Sequence, residues 1–114
     1  MNDRDRSLLE DMLAYATDAI ELLGAADASA LAVDKRTQYA VIRAVEVVGE
    51  AASKVSAEGR EMLAALPWRQ AVGMRNVLIH GYNSLDLGLI VETVRDHFPP
   101  LVELLNSALG ETPE

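Results

Sequence analysis

Arg75, Asn76, His80 and Tyr82 are the side chains whose types and spacing could do chemistry together. A guanidinium presents a planar fork of N–H donors suited to a phosphate. On a helical wheel Arg75 falls in the middle of a stripe formed by Trp68, Ala71, Val72, Leu78 and Ile79. A cation on such a stripe needs an anion or a polar cavity, because an unpaired buried charge costs several kcal/mol. An internal ion pair, with Glu50 the obvious partner, is one answer, and a bound phosphate is the other. Asn76 and His80 are four residues apart and share a helical face, whereas His80 lies about 140° around from Arg75. The pair and Arg75 therefore straddle the edge between a buried face and a crevice. His80 precedes Gly81, at a predicted helix C-terminus where the dipole favours imidazolium. A histidine with a free pKa of about 6.5 can take or give a proton at neutral pH. Capping the helix is the alternative role for it. Tyr82 follows closely enough to bring its hydroxyl beside both groups, or simply to pack at the end of a bundle.

The elements that must position these residues read as helices. Leu8, Leu9, Met12, Leu13, Ala16, Ala19, Ile20 and Leu23 keep a 3.6-residue period that stops at Gly24. A short connection through Asp27 and Ser29 leads to a long helix predicted from about Asp34 to Val55, with Val41, Val45, Val48, Ala52 and Val55 inward. Its β-branched runs could suggest strands, but length, missing breaks and the lack of alternation favour helix. Gly49 in its middle would cost about 1 kcal/mol relative to Ala, which points to close approach by a neighbouring helix. A short helix over Ala57–Ala65 follows, and Pro67 suits the first turn of the helix that carries Arg75. The last helix opens after Asp86, and Pro99-Pro100 predicts a kink or break in it. The expected fold is all-α, a four- or five-helix up-and-down bundle, with residues 1–114 as one domain.

Composition bounds the function. The 114 residues carry no cysteine, so disulfides, thiolate metal sites and cysteine nucleophiles are excluded, and a reducing cytoplasm is the expected compartment. No apolar run of signal-peptide character follows the charged N-terminus, and none approaches a membrane span; a soluble protein is expected. The net charge of -8 repels a polyanion overall. Yet between Lys35 and Arg75 seven basic residues face four acidic ones, an excess of three positive charges. If RNA is bound, this stretch must hold it, with Arg43, Lys54 and Arg69 as candidate contacts; scattered solvated charges are the blander reading.

The run Arg75-Asn76-Val77-Leu78-Ile79-His80-Gly81-Tyr82 resembles the Arg-x4-His-x-Tyr signature of the HepT branch of HEPN proteins. Gly49-Glu50-Ala51-Ala52, Pro67-Trp68, Gly73-Met74 and Asp86 agree with it, so the likeness runs from about Asp34 to Leu105. The resemblance implies a homodimeric, metal-independent endoribonuclease with no cofactor, in which two motif copies face one cleft. Arg75 and His80 would be catalytic, and Asn76 and Glu50 would support them. It further implies an RNA substrate, neither DNA nor membrane, and a small MntA-type nucleotidyltransferase antitoxin that adenylylates Tyr82 in a type VII toxin–antitoxin pair. Two departures stand out. The surface is acidic, and Leu89-Ile90 occupy the place where the family often has a tryptophan.

Other chemistry is poorly represented. His80 and His97 are far apart with no His-x-His or His-Glu-x-x-His spacing, which argues against a metal site. His97 reads as a surface or partly packed residue, and Ser53, Ser56 and Ser84 lack partners spaced for nucleophilic catalysis. There is no Gly-rich phosphate loop and no nucleotidyltransferase element. Two non-catalytic readings remain: a helical subunit that presents a substrate or nucleotide to a separate nucleotidyltransferase, and a structural dimerisation module.

Overall fold

Most helices of this chain begin at a side chain that can accept a backbone N–H. The computed structural model describes residues 1–80 and 86–110, with the side chains of 76–80 left aside. Helix α1 (Asp3–Leu23) starts after Asn2, whose Oδ1 accepts from the Asp5 N–H at 2.7 Å. Asp27 caps α2 (Ala28–Val33), Asp34 caps α3 (Lys35–Lys54) and Ser56 caps α4 (Ala57–Met62) in the same way. Helix α5 covers Trp68–His80, the Pro67 carbonyl accepting from Ala71 at 2.9 Å. Asp86 caps α6 (Leu87–Glu92), with 3.0 Å from Leu89 N to Asp86 Oδ1. A π-helical segment (Thr93–His97) then joins α6 to α7 (Phe98–Gly110).

Three of these elements differ from the sequence-based expectation. The connection through Asp27 and Ser29 contains a helix, because Asp27 caps it and Leu31 is completely buried. Gln38 fastens this turn to α3 by donating to the Leu31 carbonyl at 3.0 Å. The short helix predicted to reach Ala65 ends at Met62. At Pro99-Pro100 the helical run does not break. The π segment just before them shifts the ladder, with the Phe98 N–H bonding to the Thr93 carbonyl. Both prolines therefore fall in the first turn of α7, where missing N–H groups matter least.

The core lies where α1 meets α3 on one side and α7 on the other, and α3 passes the contact on to α5. Leu9, Met12 and Ala16 of α1, Val41 and Val48 of α3, and Phe98, Leu101 and Leu105 of α7 are almost wholly buried. Each buried Val, Leu or Phe contributes about 1.5–3 kcal/mol, so the apolar stripes and not helix propensity hold the helices together. The fold is an all-α bundle, and among the described residues there is no strand. Gly24, at a φ of 54°, ends α1 as expected. No described helix is long and apolar enough to cross a membrane.

Among the described residues one charged side chain is buried. Asp5 is 2% exposed. Its Oδ1 accepts from the Ser56 backbone N–H at 3.0 Å, and its Oδ2 accepts from the Ser56 hydroxyl. These bonds hold its carboxyl below the ordinary value of 3.8, the hydroxyl contributing most. They tie the first turn of α1 to the start of α4.

Candidate active site

Gly49 decides how α5 meets α3. A Cβ at that position would stand 2.7 Å from the backbone nitrogen of Arg75 and 3.0 Å from its Cβ. The two helices therefore touch backbone to backbone at Arg75, the close approach expected of a mid-helix glycine. In this seat the described part of α5 buries Ala71 and Met74, with Trp68 and Val72 partly covered. Arg75 is not enclosed as a place on an apolar stripe would suggest: its side chain is 39% exposed. Close contact through the backbone sends the long side chain along the flank of α3 and outward.

The guanidinium meets two groups of α3. Nη1 donates to the Ser53 hydroxyl at 3.2 Å and lies 3.9 Å from Glu50 Oε2. The expected ion pair with Glu50 is thus present but long, and its carboxylate is itself 46% exposed. Glu50 also has Lys54 at 3.6 Å on its other side, dividing its charge between two cations. An exposed pair of this length contributes roughly 0–1 kcal/mol. It does not lock Arg75.

Ser53 lacks a nucleophile's partners in the sequence, and in the fold its neighbour is Arg75. The signal was in the spacing: Ser53 lies one helical turn from both Gly49 and Glu50, on the side where a close helix was expected. Its hydroxyl donates to the Glu50 backbone carbonyl at 2.7 Å while it accepts from Arg75.

The candidate RNA contacts divide into two places. Arg43 and Lys54 line one shallow groove between α1 and α3, together with Asp11, Glu46 and Glu50. Arg43 is paired with Glu46 at 2.9 Å. Arg69 lines a separate depression with Arg60, Trp68, Val72 and Gly73. There the Arg60 guanidinium lies 5.8 Å from the Trp68 ring centre and donates to the Ala52 and Ser53 carbonyls at the end of α3. His97, far from Arg75 in the chain, lines an apolar cavity with Val45, Met74, Leu89 and Ile90. Asn76 and His80 continue α5 for five residues past Arg75, His80 being its last residue. The Asn76 and His80 side chains, and Gly81, Tyr82 and Ser84 altogether, lie outside the described residues.

The family model described as "Ribonuclease HepT-like" matches residues 12–108, which include α3, α5 and the Arg75 contacts. The chain belongs to the HepT-like ribonuclease family. Among its relatives is "Putative RNase MJ1380" of Methanocaldococcus jannaschii, 37% identical over 102 residues, covering 89% of this chain and 94% of that one. "Probable ribonuclease HepT" of Thermococcus cleftensis is 40% identical over 68 residues, 60% of this chain and 62% of the other. "Putative RNase TTE0752" of Caldanaerobacter subterraneus is 30% identical over 104 residues, 91% and 93% of the two chains. No solved structure matches significantly. The matched span of this HepT-like chain includes Ser56 but leaves out its partner Asp5, so the buried carboxylate clamp reaches beyond the stretch the family model covers.

Proposed function

We propose that this HepT-like chain is an endoribonuclease toxin that cuts RNA without a metal ion, using Arg75 and His80 in a cleft formed by two copies. The observation that carries the reading is the state of Arg75: a guanidinium on the α3–α5 seam, steadied by a neutral hydroxyl and only loosely matched by Glu50. Such a cation can grip a phosphodiester through two parallel N–H donors and stabilise the charge that builds on it during attack. His80 takes the proton from a ribose 2′-hydroxyl as that oxygen attacks phosphorus, or returns one to the departing 5′-oxygen. One imidazole serves both transfers poorly, which is the chemical reason for a homodimeric site. Asn76 orients His80 or shares the phosphate, and Arg43, Lys54 and Arg69 draw the RNA toward an otherwise acidic protein. An MntA-type nucleotidyltransferase neutralises the toxin by placing AMP on Tyr82, adding negative charge and bulk beside the phosphate site.

Purified protein made without a partner should cleave a broad RNA pool in EDTA. Arg75→Ala and His80→Ala should each abolish cutting while preserving the helical spectrum. If wild type leaves the pool intact, the non-catalytic binding subunit is the better reading. Intact mass after co-expression with the nucleotidyltransferase tests the rest: additions in units of AMP on wild type, and none on Tyr82→Phe.

A further inference from the structure

We infer that Ser53 is the positioning residue for the Arg75 guanidinium, an assignment that rests on Arg75 gripping the phosphate. The Ser53 hydroxyl has one proton, and that proton is committed to the Glu50 carbonyl at 2.7 Å. What it can offer Arg75 is therefore a lone pair, and Nη1 lies 3.2 Å away to donate into it. The polarity of the contact is fixed by the helix itself. Gly49, one turn earlier on α3, seats the Arg75 backbone against the same helix, so both ends of the arginine are referenced to α3. Arg60 donates to the carbonyl of Ser53 at 3.2 Å and steadies the last turn on which the hydroxyl stands.

A neutral anchor suits a phosphate-binding arginine better than a carboxylate does. Glu50 in tight, bidentate contact would cancel the charge that RNA must find, and the phosphate would have to displace it. Ser53 restrains direction and leaves the charge whole. Losing it should therefore spare RNA recruitment, which depends on charge, and slow the step that depends on orientation.

The test is single-turnover cleavage of RNA in EDTA by the full chain, comparing wild type, Ser53→Ala, Ser53→Thr and Arg75→Ala. Alanine is the better helix former, so Ser53→Ala should melt no lower than wild type. Its cleavage at saturating RNA should be roughly tenfold slower, with half-saturation changed less than twofold. Ser53→Thr, which keeps the hydroxyl, should return most of the rate. If Ser53→Ala cuts as fast as wild type while Arg75→Ala is dead, or if Thr fails to rescue, the assignment is overturned. Should wild type cut no RNA, the ribonuclease reading falls, and nitrogen NMR of the Arg75 guanidinium decides Ser53 separately. Slower rotation of the guanidinium in wild type than in Ser53→Ala supports the anchor, and equal rotation overturns it.

Discussion

Two small clusters in this molecule are built from the same three kinds of residue and do opposite things. At the start of α4, Asp5, Ser56 and Gly59 combine a charge, a hydroxyl and a glycine; on the α3–α5 seam, Arg75, Ser53 and Gly49 do so again. In the first, the charge is buried and one residue, Ser56, bonds both carboxylate oxygens. In the second, the charge reaches solvent with one hydroxyl contact and one long ion pair. Both glycines leave no room for a side chain: a Cβ on Gly59 would stand 2.5 Å from Asp5 Oδ2, and one on Gly49 would meet the Arg75 backbone. The difference lies in what is left over. A charge whose bonds are satisfied inside the protein is a fastening, whereas a charge held in direction only is available to a ligand.

Exchanging the two losses should break this comparison if it is wrong. Arg75→Ala should lower RNA cleavage by on the order of 10²–10⁴-fold in a metal-free assay, with little change in melting temperature. Asp5→Ala should do the reverse, lowering the melting midpoint by several degrees and leaving the rate of the folded protein near wild type. An inactive but stable Asp5→Ala would erase the distinction.

Gly49→Ala sharpens the second cluster. Its new methyl group meets backbone, which cannot swing aside, so α5 must shift. Chemical denaturation should show a loss of about 1–3 kcal/mol, accompanied by slower cleavage. An unchanged midpoint would mean that the seam yields without cost.

Acid should act on the first cluster. Because the folded Asp5 carboxyl lies below its ordinary value of 3.8, its contribution is fully present above that pH. It is lost as pH falls through the folded value. Asp34, lowered chiefly by its bond from the Thr37 hydroxyl, adds to the same acid limb. The stability of wild type measured against pH should decline below about pH 4, and Asp5→Asn should flatten that decline. Parallel curves for the two proteins would contradict this.

The smallest effect is expected for Glu50→Gln. Removing half of a 3.9 Å, solvent-facing pair should change stability by less than about 1 kcal/mol. RNA binding should tighten slightly as a competing anion disappears. A large loss of stability would show that Glu50 locks Arg75 after all.

The sequence alone was enough to specify the long helices α1 and α3 and their inward faces. Periodic apolar residues such as Leu9, Met12 and Ala16, and Val41, Val45 and Val48, mark buried stripes, and Asp86 and Gly24 mark a start and a stop. These signals are local, because capping and periodicity involve residues within a few turns of one another. The run from Arg75 to Tyr82 and the glycine at position 49 were legible for the same reason. What only the tertiary structure decided depends on two segments meeting. The partnership of Ser53 with Arg75 joins residues 22 apart in the chain, and that of Asp5 with Ser56 joins residues 51 apart. Arg75 looked central on the wheel of its own helix, yet its exposure was set by the backbone of another. No periodicity within α5 carries that information, since the rotation of a helix in its seat is fixed by what it packs against.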